Sequence, residues 1–246
     1  VMDGVGIGQR DEGDAVWLAR TPNLDLLATL PATTRLTAHG TAVGMPSDAD
    51  MGNSEVGHNA LGAGRIFDQG AKLVDNAIKS GSLFAGDTWR EIVARSAAHK
   101  GTLHFVGLLS DGNVHSHIAH LLAMLARASE EGVERVRVHV LLDGRDVSAT
   151  SAPTYVAQLE QRLSEINRAS GRDYRIASGG GRQTTTMDRY GADYRIVERG
   201  WKAHVLGDAR AFPSAMAAIE TLRAEQPGVI DQDLPPFVIA DDSGPV

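Results

Sequence analysis

TLHFVGLLSDGNVHSHIAHLLAMLARASEEGVERVRVHVLLDGRD, Thr102 to Asp146, holds two apolar runs, a helical pattern between them and a polar loop after each run. The first run, Thr102 to Leu109, is short and rich in β-branched and aromatic residues, which reads as a buried strand. From Ser116 to Glu131, Ile118, Leu121, Leu122 and Leu125 fall at helical spacing until Gly132 stops the pattern. Arg135 to Leu142 (RVRVHVLL) is a second strand. A strand, a helix and a second strand at these lengths predict a parallel pair joined by a crossover.

The same alternation continues outward. Ser151 to Ala169 reads as a helix with Pro153 tolerated in its first turn. DYRIAS (173–178) is a third strand, and Ala192 to Leu206 and Pro213 to Glu225 are helices. LPPFVIA is a fourth strand. These elements predict a mainly parallel sheet with helices on both faces. The first seventy residues differ: they are rich in Gly, Asp and Thr and carry one clear helix, around Pro22 to Leu30. A composition shift near Gly70 predicts two domains, 1–69 and 70–246. Val1-Met2-Asp3-Gly4 reads as the last residues of a buried strand, and DDSGPV as a turn, so the chain is expected to be a piece of a longer one.

The bulk composition narrows the function. A net charge of −7 over 246 residues argues against a general nucleic-acid or membrane-surface binder. With no cysteine, disulfides, thiolate nucleophiles and Cys-ligated zinc are excluded, and any metal is left to oxygen and imidazole donors. The absence fits a cytoplasmic protein. No apolar run approaches membrane-spanning length.

Each of the three clearest strands runs into an unusual loop: SDGNVHSH (110–117), DGRDVSAT (143–150) and SGGGRQTTTMDRY (178–190). Ligands of open α/β sheets bind outside the carboxyl ends of the strands. These loops supply His115, His117, Arg145, Arg182 and Arg189, along with glycines that let backbone N–H groups approach an anion. Asp146 is placed to accept a hydrogen bond from a substrate hydroxyl or to act as a base. Any one of these residues alone has a bland reading as a surface ion pair; three loops at one sheet edge predict an anion site.

MGNSEVGHNALGAG (51–64) raises a second question. Asn53 or Ser54 could cap a helix, with Glu55 favouring its positive end. Ser54 could equally be a nucleophile, since a helix N-terminus stabilises an attached phosphate. No His–Asp partner is evident from spacing, so metal coordination is the expected activator, with Asp3 as candidate ligand.

VMDGVG, MGNSEVGH, LLSDGNVHSH, LDGRDV and TMDRY, in this order, resemble the cofactor-independent (2,3-bisphosphoglycerate-independent) phosphoglycerate mutases over essentially the whole chain. The resemblance implies a partial alkaline-phosphatase-like, metal-binding domain (1–69) and an inserted α/β transferase domain that binds substrate (70–246). It implies Ser54 as the phosphorylated nucleophile and a metal ligand, and Asp3 as a ligand of the same ion. His115, Arg145, Asp146, Arg182 and Arg189 would hold phosphoglycerate, with Asp146 as acid/base. The implied reaction interconverts 3- and 2-phosphoglycerate through a phosphoserine, with two divalent ions, usually manganese, and no 2,3-bisphosphoglycerate, in a protein monomeric at full length. The Arg182–Arg189 spacing is one residue longer than the GRYYAMDR of many bacterial members. The remaining metal ligands are expected C-terminal to Val246, leaving this chain alone a poor mutase or inactive. A phosphohydrolase of the same metal-dependent class and a non-catalytic phosphoglycerate-binding module are the alternative readings.

Overall fold

The computed structural model describes residues 2, 5–186, 191 and 193–246. The chain divides into two compact units, residues 1–67 and 68–246.

The first unit holds α1 (Ala15–Leu18), α2 (Pro22–Ala28) and α3 (Ser54–Ala63). Its buried apolar cluster is Val43, Met45 and Val56. The Gly-rich segment after Asn53 forms the helix that a cap at Asn53 or Ser54 would begin, and it runs a full ten residues. Caps at both ends account for it: Asn53 accepts the N–H of Val56, and Gly64 takes a left-handed conformation at the C-terminus.

The second unit opens with α4 (Gly70–Lys79), α5 (Ser82–Ala85) and α6 (Asp87–Ala98). The alternating part follows: β1 (Thr102–Leu108), α7 (Ile118–Glu130), β2 (Arg135–Leu142), α8 (Ala152–Ser170), β3 (Asp173–Gly181), α9 (Arg182–Thr185) and α10 (Tyr194–Leu206). It closes with β4 (Arg210–Phe212), α11 (Ala215–Glu225), β5 (Phe237–Asp241) and β6 (Gly244–Pro245). The sheet order is β1-β2-β3-β5-β4, with β6 on β5. Strands β1, β2 and β3 are parallel, and so are β4 and β5, but β5 runs antiparallel to β3 and meets it only at Ser178 and Gly179. The sheet is therefore mixed and mostly parallel.

The two faces of β2 differ in chemistry. Val136, Val138, Val140 and Leu142 are at most 2% exposed and belong to one core with Leu125 of α7, Val156 and Leu159 of α8, and Ile219 of α11. Each such burial stabilises by about 1.5–3 kcal/mol. Arg137 and His139 point the other way. A register shift opposite Val138/His139 leaves Ala177 as the extra residue and turns Ser178 onto the His139 face. There Ser178 Oγ lies 2.6 Å from His139 Nδ1 and 2.8 Å from Nδ1 of His204, which comes from α10. His139 Nε2 is in turn 2.9 Å from His104 Nδ1 on β1. A polar chain thus crosses this face, and helices lie on both sides of the sheet.

Burial, then the neighbouring His204 and His104, push His139 down to about 4. The unfolded chain therefore takes up its proton first as pH falls, so stability is full above about 6.5 and drains away between there and about 4. We expect the free energy of urea unfolding to drop by on the order of 3 kcal/mol over that range from this group. His139→Gln should flatten the slope, and an unchanged slope would contradict the assignment.

Candidate active site

Because β1, β2 and β3 are parallel, their carboxyl ends share one edge of the sheet, and the loops that leave it meet there. The contact between the first two loops is main-chain close. A Cβ at Gly112 would come within 2.9 Å of the Asp146 Cβ, so a side chain at 112 would force the loops apart. His115 Nε2 lies 3.8 Å from Asp146 Oδ2. The third loop joins through Arg182, whose Nη1 donates to Asp143 Oδ1 at 2.8 Å and to Asp146 Oδ2 at 2.7 Å.

Asp143 is the centre of this arrangement. It is 2% exposed at the end of β2. Its Oδ2 accepts the Ser110 hydroxyl at 2.6 Å, and its Oδ1 also accepts the N–H groups of Asp146 and Arg145, at 3.0 and 3.2 Å. Burial alone pushes this carboxyl up. The hydrogen bonds from Ser110, the Asp146 N–H, Arg182 and the Arg145 N–H outweigh it and hold the group below the usual 3.8. From α8, Tyr155 donates its hydroxyl to Asp111. Burial and that carboxylate push the phenol up to about 12, so it stays a donor.

His115, Arg145, Asp146 and Arg182 are thus brought to one sheet edge, but not in equal roles. The side chain of His115 is 53% exposed, and Arg145 is exposed. Arg182 is only 2% exposed and lies beneath the crevice surface, clamped by two carboxylates. Arg189 and Asp3 lie outside the described residues. His117 serves as the N-cap of α7, its Nδ1 accepting the Ala119 N–H at 3.1 Å. Asp143, Ser110, Asp111 and Tyr155 were not singled out from sequence. The signal for Asp143 was present: an Asp two and three residues before the N–H groups it accepts is the spacing of an Asx turn.

In the other unit, Asn53 and not Ser54 caps α3. Ser54 occupies the first helical position and is exposed. Its Oγ is 3.2 Å from His58 Nδ1, which is itself 2.7 Å from the Ser54 carbonyl oxygen. A carbonyl only accepts, so the shorter contact requires a protonated Nδ1. A protonated Nδ1 cannot take the Ser54 proton, so His58 is not its base in this geometry. Ser54 Oγ suits a hard divalent ion, as does an Asp carboxylate. Among the described residues, no group of three or more His, Asp or Glu is arranged to hold a metal.

An open α/β domain with a charged crevice at the carboxyl ends of its parallel strands is the class that fold and site define. The BPG-independent PGAM N-terminus family (iPGM_N) matches residues 74–246. A 2,3-bisphosphoglycerate-independent phosphoglycerate mutase of Trypanosoma brucei brucei is 54% identical over 245 residues, 99% of this chain and 44% of that protein. A protein of Leptospira interrogans, described as a probable enzyme of the same kind, is 55% identical over 248 residues, 100% of this chain and 45% of its own. The crystal structure of Leishmania mexicana phosphoglycerate mutase at low cobalt concentration superposes with a TM-score of 0.92 at 52% identity, covering 100% of this chain and 45% of that one. The chain belongs to the 2,3-bisphosphoglycerate-independent phosphoglycerate mutase family, and it spans less than half the length of these relatives.

Arg182→Met would leave two carboxylates facing each other without their shared cation. It should cost about 3–5 kcal/mol in urea unfolding. Arg162→Met, which removes a half-exposed partner of Glu165, should change stability by no more than about 0.5 kcal/mol. Equal effects would show that the buried triad does not hold the loops.

Proposed function

We propose that this chain forms the substrate-binding part, and carries the nucleophile, of a mutase that interconverts 3-phosphoglycerate and 2-phosphoglycerate. The observation that carries the reading is the meeting of His115, Arg145 and Asp146 at one sheet edge over the buried Asp143–Arg182 pair. Arg145 and His115, open to solvent, are suited to the phosphate and carboxylate oxygens of the substrate. Asp146 is suited to move the proton of the glycerate hydroxyl. Arg182 supports Asp146 from below, and it becomes a direct ligand when a substrate anion displaces one of its carboxylates. Arg189 is the further substrate cation in this reading.

Ser54, exposed at the first turn of α3 with the helix N–H groups beside it, takes the phosphoryl group from one glycerate oxygen, which leaves as a hydroxyl. The phosphoserine then gives it up to the hydroxyl oxygen on the other carbon of the same glycerate, regenerating the serine hydroxyl. Asp3 and Ser54 would hold one of two divalent ions, manganese by family likeness. Such an ion, when bound, would favour the alkoxide of Ser54. No 2,3-bisphosphoglycerate is needed, because the phosphate waits on the protein. The reading includes a cytoplasmic setting and a monomeric full-length protein. Among the described residues, no helix is long and apolar enough to cross a membrane.

Calorimetric titration of 3-phosphoglycerate tests the pocket. Arg145→Ala should weaken binding roughly 10- to 100-fold, the loss of a charge-assisted hydrogen-bond pair. Ser54→Ala should leave binding within about twofold while abolishing mutase turnover in a full-length protein with manganese, since a deleted nucleophile removes the covalent step. Turnover by Ser54→Ala, or unchanged binding by Arg145→Ala, would refute these roles. Release of inorganic phosphate faster than isomerisation would point to a hydrolase.

A further inference from the structure

Residues 231–234 lie far along the chain from the crevice, yet they touch two of its three loops. Asp231 is fully buried, at 0% exposure. Its N–H donates to the Ala149 carbonyl at 2.8 Å, and its Oδ2 accepts the Ala152 N–H at 2.7 Å. Its Oδ1 is held by Arg223 Nη2 from the last turn of α11, and the same nitrogen donates to the Thr150 carbonyl at 2.9 Å. At the opposite end of that loop Gly144, at φ +64°, passes so close that a Cβ there would lie 2.8 Å from the Asp231 Cβ. One residue thus grips the 143–152 segment both beside Arg145 and where α8 begins. Three residues on, the Leu234 carbonyl accepts the Gly181 N–H at 2.9 Å and the Thr184 hydroxyl at 2.7 Å. Those two residues bracket Arg182.

We propose that Asp231, together with Arg223, is a positioning residue for the phosphoglycerate pocket. It fixes the DGRD turn relative to the Gly181–Arg182 turn, so that one guanidinium nitrogen meets both Asp143 and Asp146. This rests on the reading of the crevice as the phosphoglycerate site. The choice of a carboxylate supports a positioning role. A buried ion pair is a poor way to gain stability, and an apolar residue of similar size does as well. A carboxylate does supply directed acceptors, and Ala149, Ala152 and Arg223 all belong to the Arg145 loop or brace it. Small displacements of a binding group weaken recognition disproportionately.

Two variants test this. Asp231→Asn keeps an acceptor oxygen for the Ala152 N–H but removes the charge facing Arg223. Arg223→Met removes the cation from a partly exposed side chain and keeps the test alive should Asp231→Asn fail to fold. Val133→Ala, a cavity in the core away from both loops, serves as the destabilised control. Binding of 3-phosphoglycerate should weaken at least tenfold in both brace variants, well below their melting temperatures, and stay within twofold in the control. Hydrogen exchange at the Arg145 and Asp146 amides should accelerate in the brace variants only, and Arg223→Lys should restore most of both effects. Unchanged exchange at those amides overturns the brace whatever the ligand does. Exchange that accelerates while 3-phosphoglycerate fails to bind even the unmodified chain overturns the substrate reading instead. Losses that track melting temperature equally in all variants reduce Asp231 to a structural residue.

Discussion

One guanidinium shared by two carboxylates ties the second unit together at the carboxyl edge of its parallel strands. Arg182 begins a short helix after β3, while Asp143 and Asp146 belong to the loop that follows β2. Without the cation, the carboxylates would repel and the loops would part. Without the carboxylates, a 2% exposed guanidinium would lose both of these ion pairs. The sheet supplies the address, because parallel strands deliver their loops to one edge. The ion triad supplies the register between those loops. The exposed groups, Arg145 and His115, are then presented from a fixed base rather than from loose loops.

Rigidity below and exposure above divide the labour. Asp143 directs its carboxylate inward, accepting from Ser110, Arg182 and two main-chain N–H groups. Tyr155 steadies the first loop through Asp111. The exposed side chains of Arg145 and His115 take none of the bonds to Asp143. In the first unit Asn53 does the capping, so the hydroxyl of Ser54 is not spent on the cap and meets His58 of the same helix.

The strand–helix alternation from Thr102 onward was legible because periodicity and β-branched runs report local geometry directly. The apolar run of β2 matches the strand to its residue limits, and the helical patterns of α7, α8, α10 and α11 match to within a few residues. The antiparallel entry of β5 was not legible, because strand direction in a sheet is fixed by distant packing and not by the strand's own residues. The short β4 had the same difficulty. In the site, the charged residues announced themselves, but their depth did not. Arg145 and Arg182 look alike in sequence, and only the folded loops show that one is open and the other buried. The inward-facing set, Ser110, Asp111, Asp143 and Tyr155, consists of common residues whose roles come from partners 33 to 44 positions away.

The imidazole chain across the polar face carries an ordering constraint. Each neutral ring holds a single proton, and each link from His104 through His139 and Ser178 to His204 needs one donor and one acceptor. When the Ser178 hydroxyl proton is also spent within the chain, two arrangements satisfy every link: all donors pointing from β1 toward α10, or all pointing back. Fixing the tautomer of His104, at the exposed edge, then dictates which nitrogen of His204 is protonated two strands and a helix away. That face of the sheet behaves as a one-dimensional polar array whose sense reverses only as a whole.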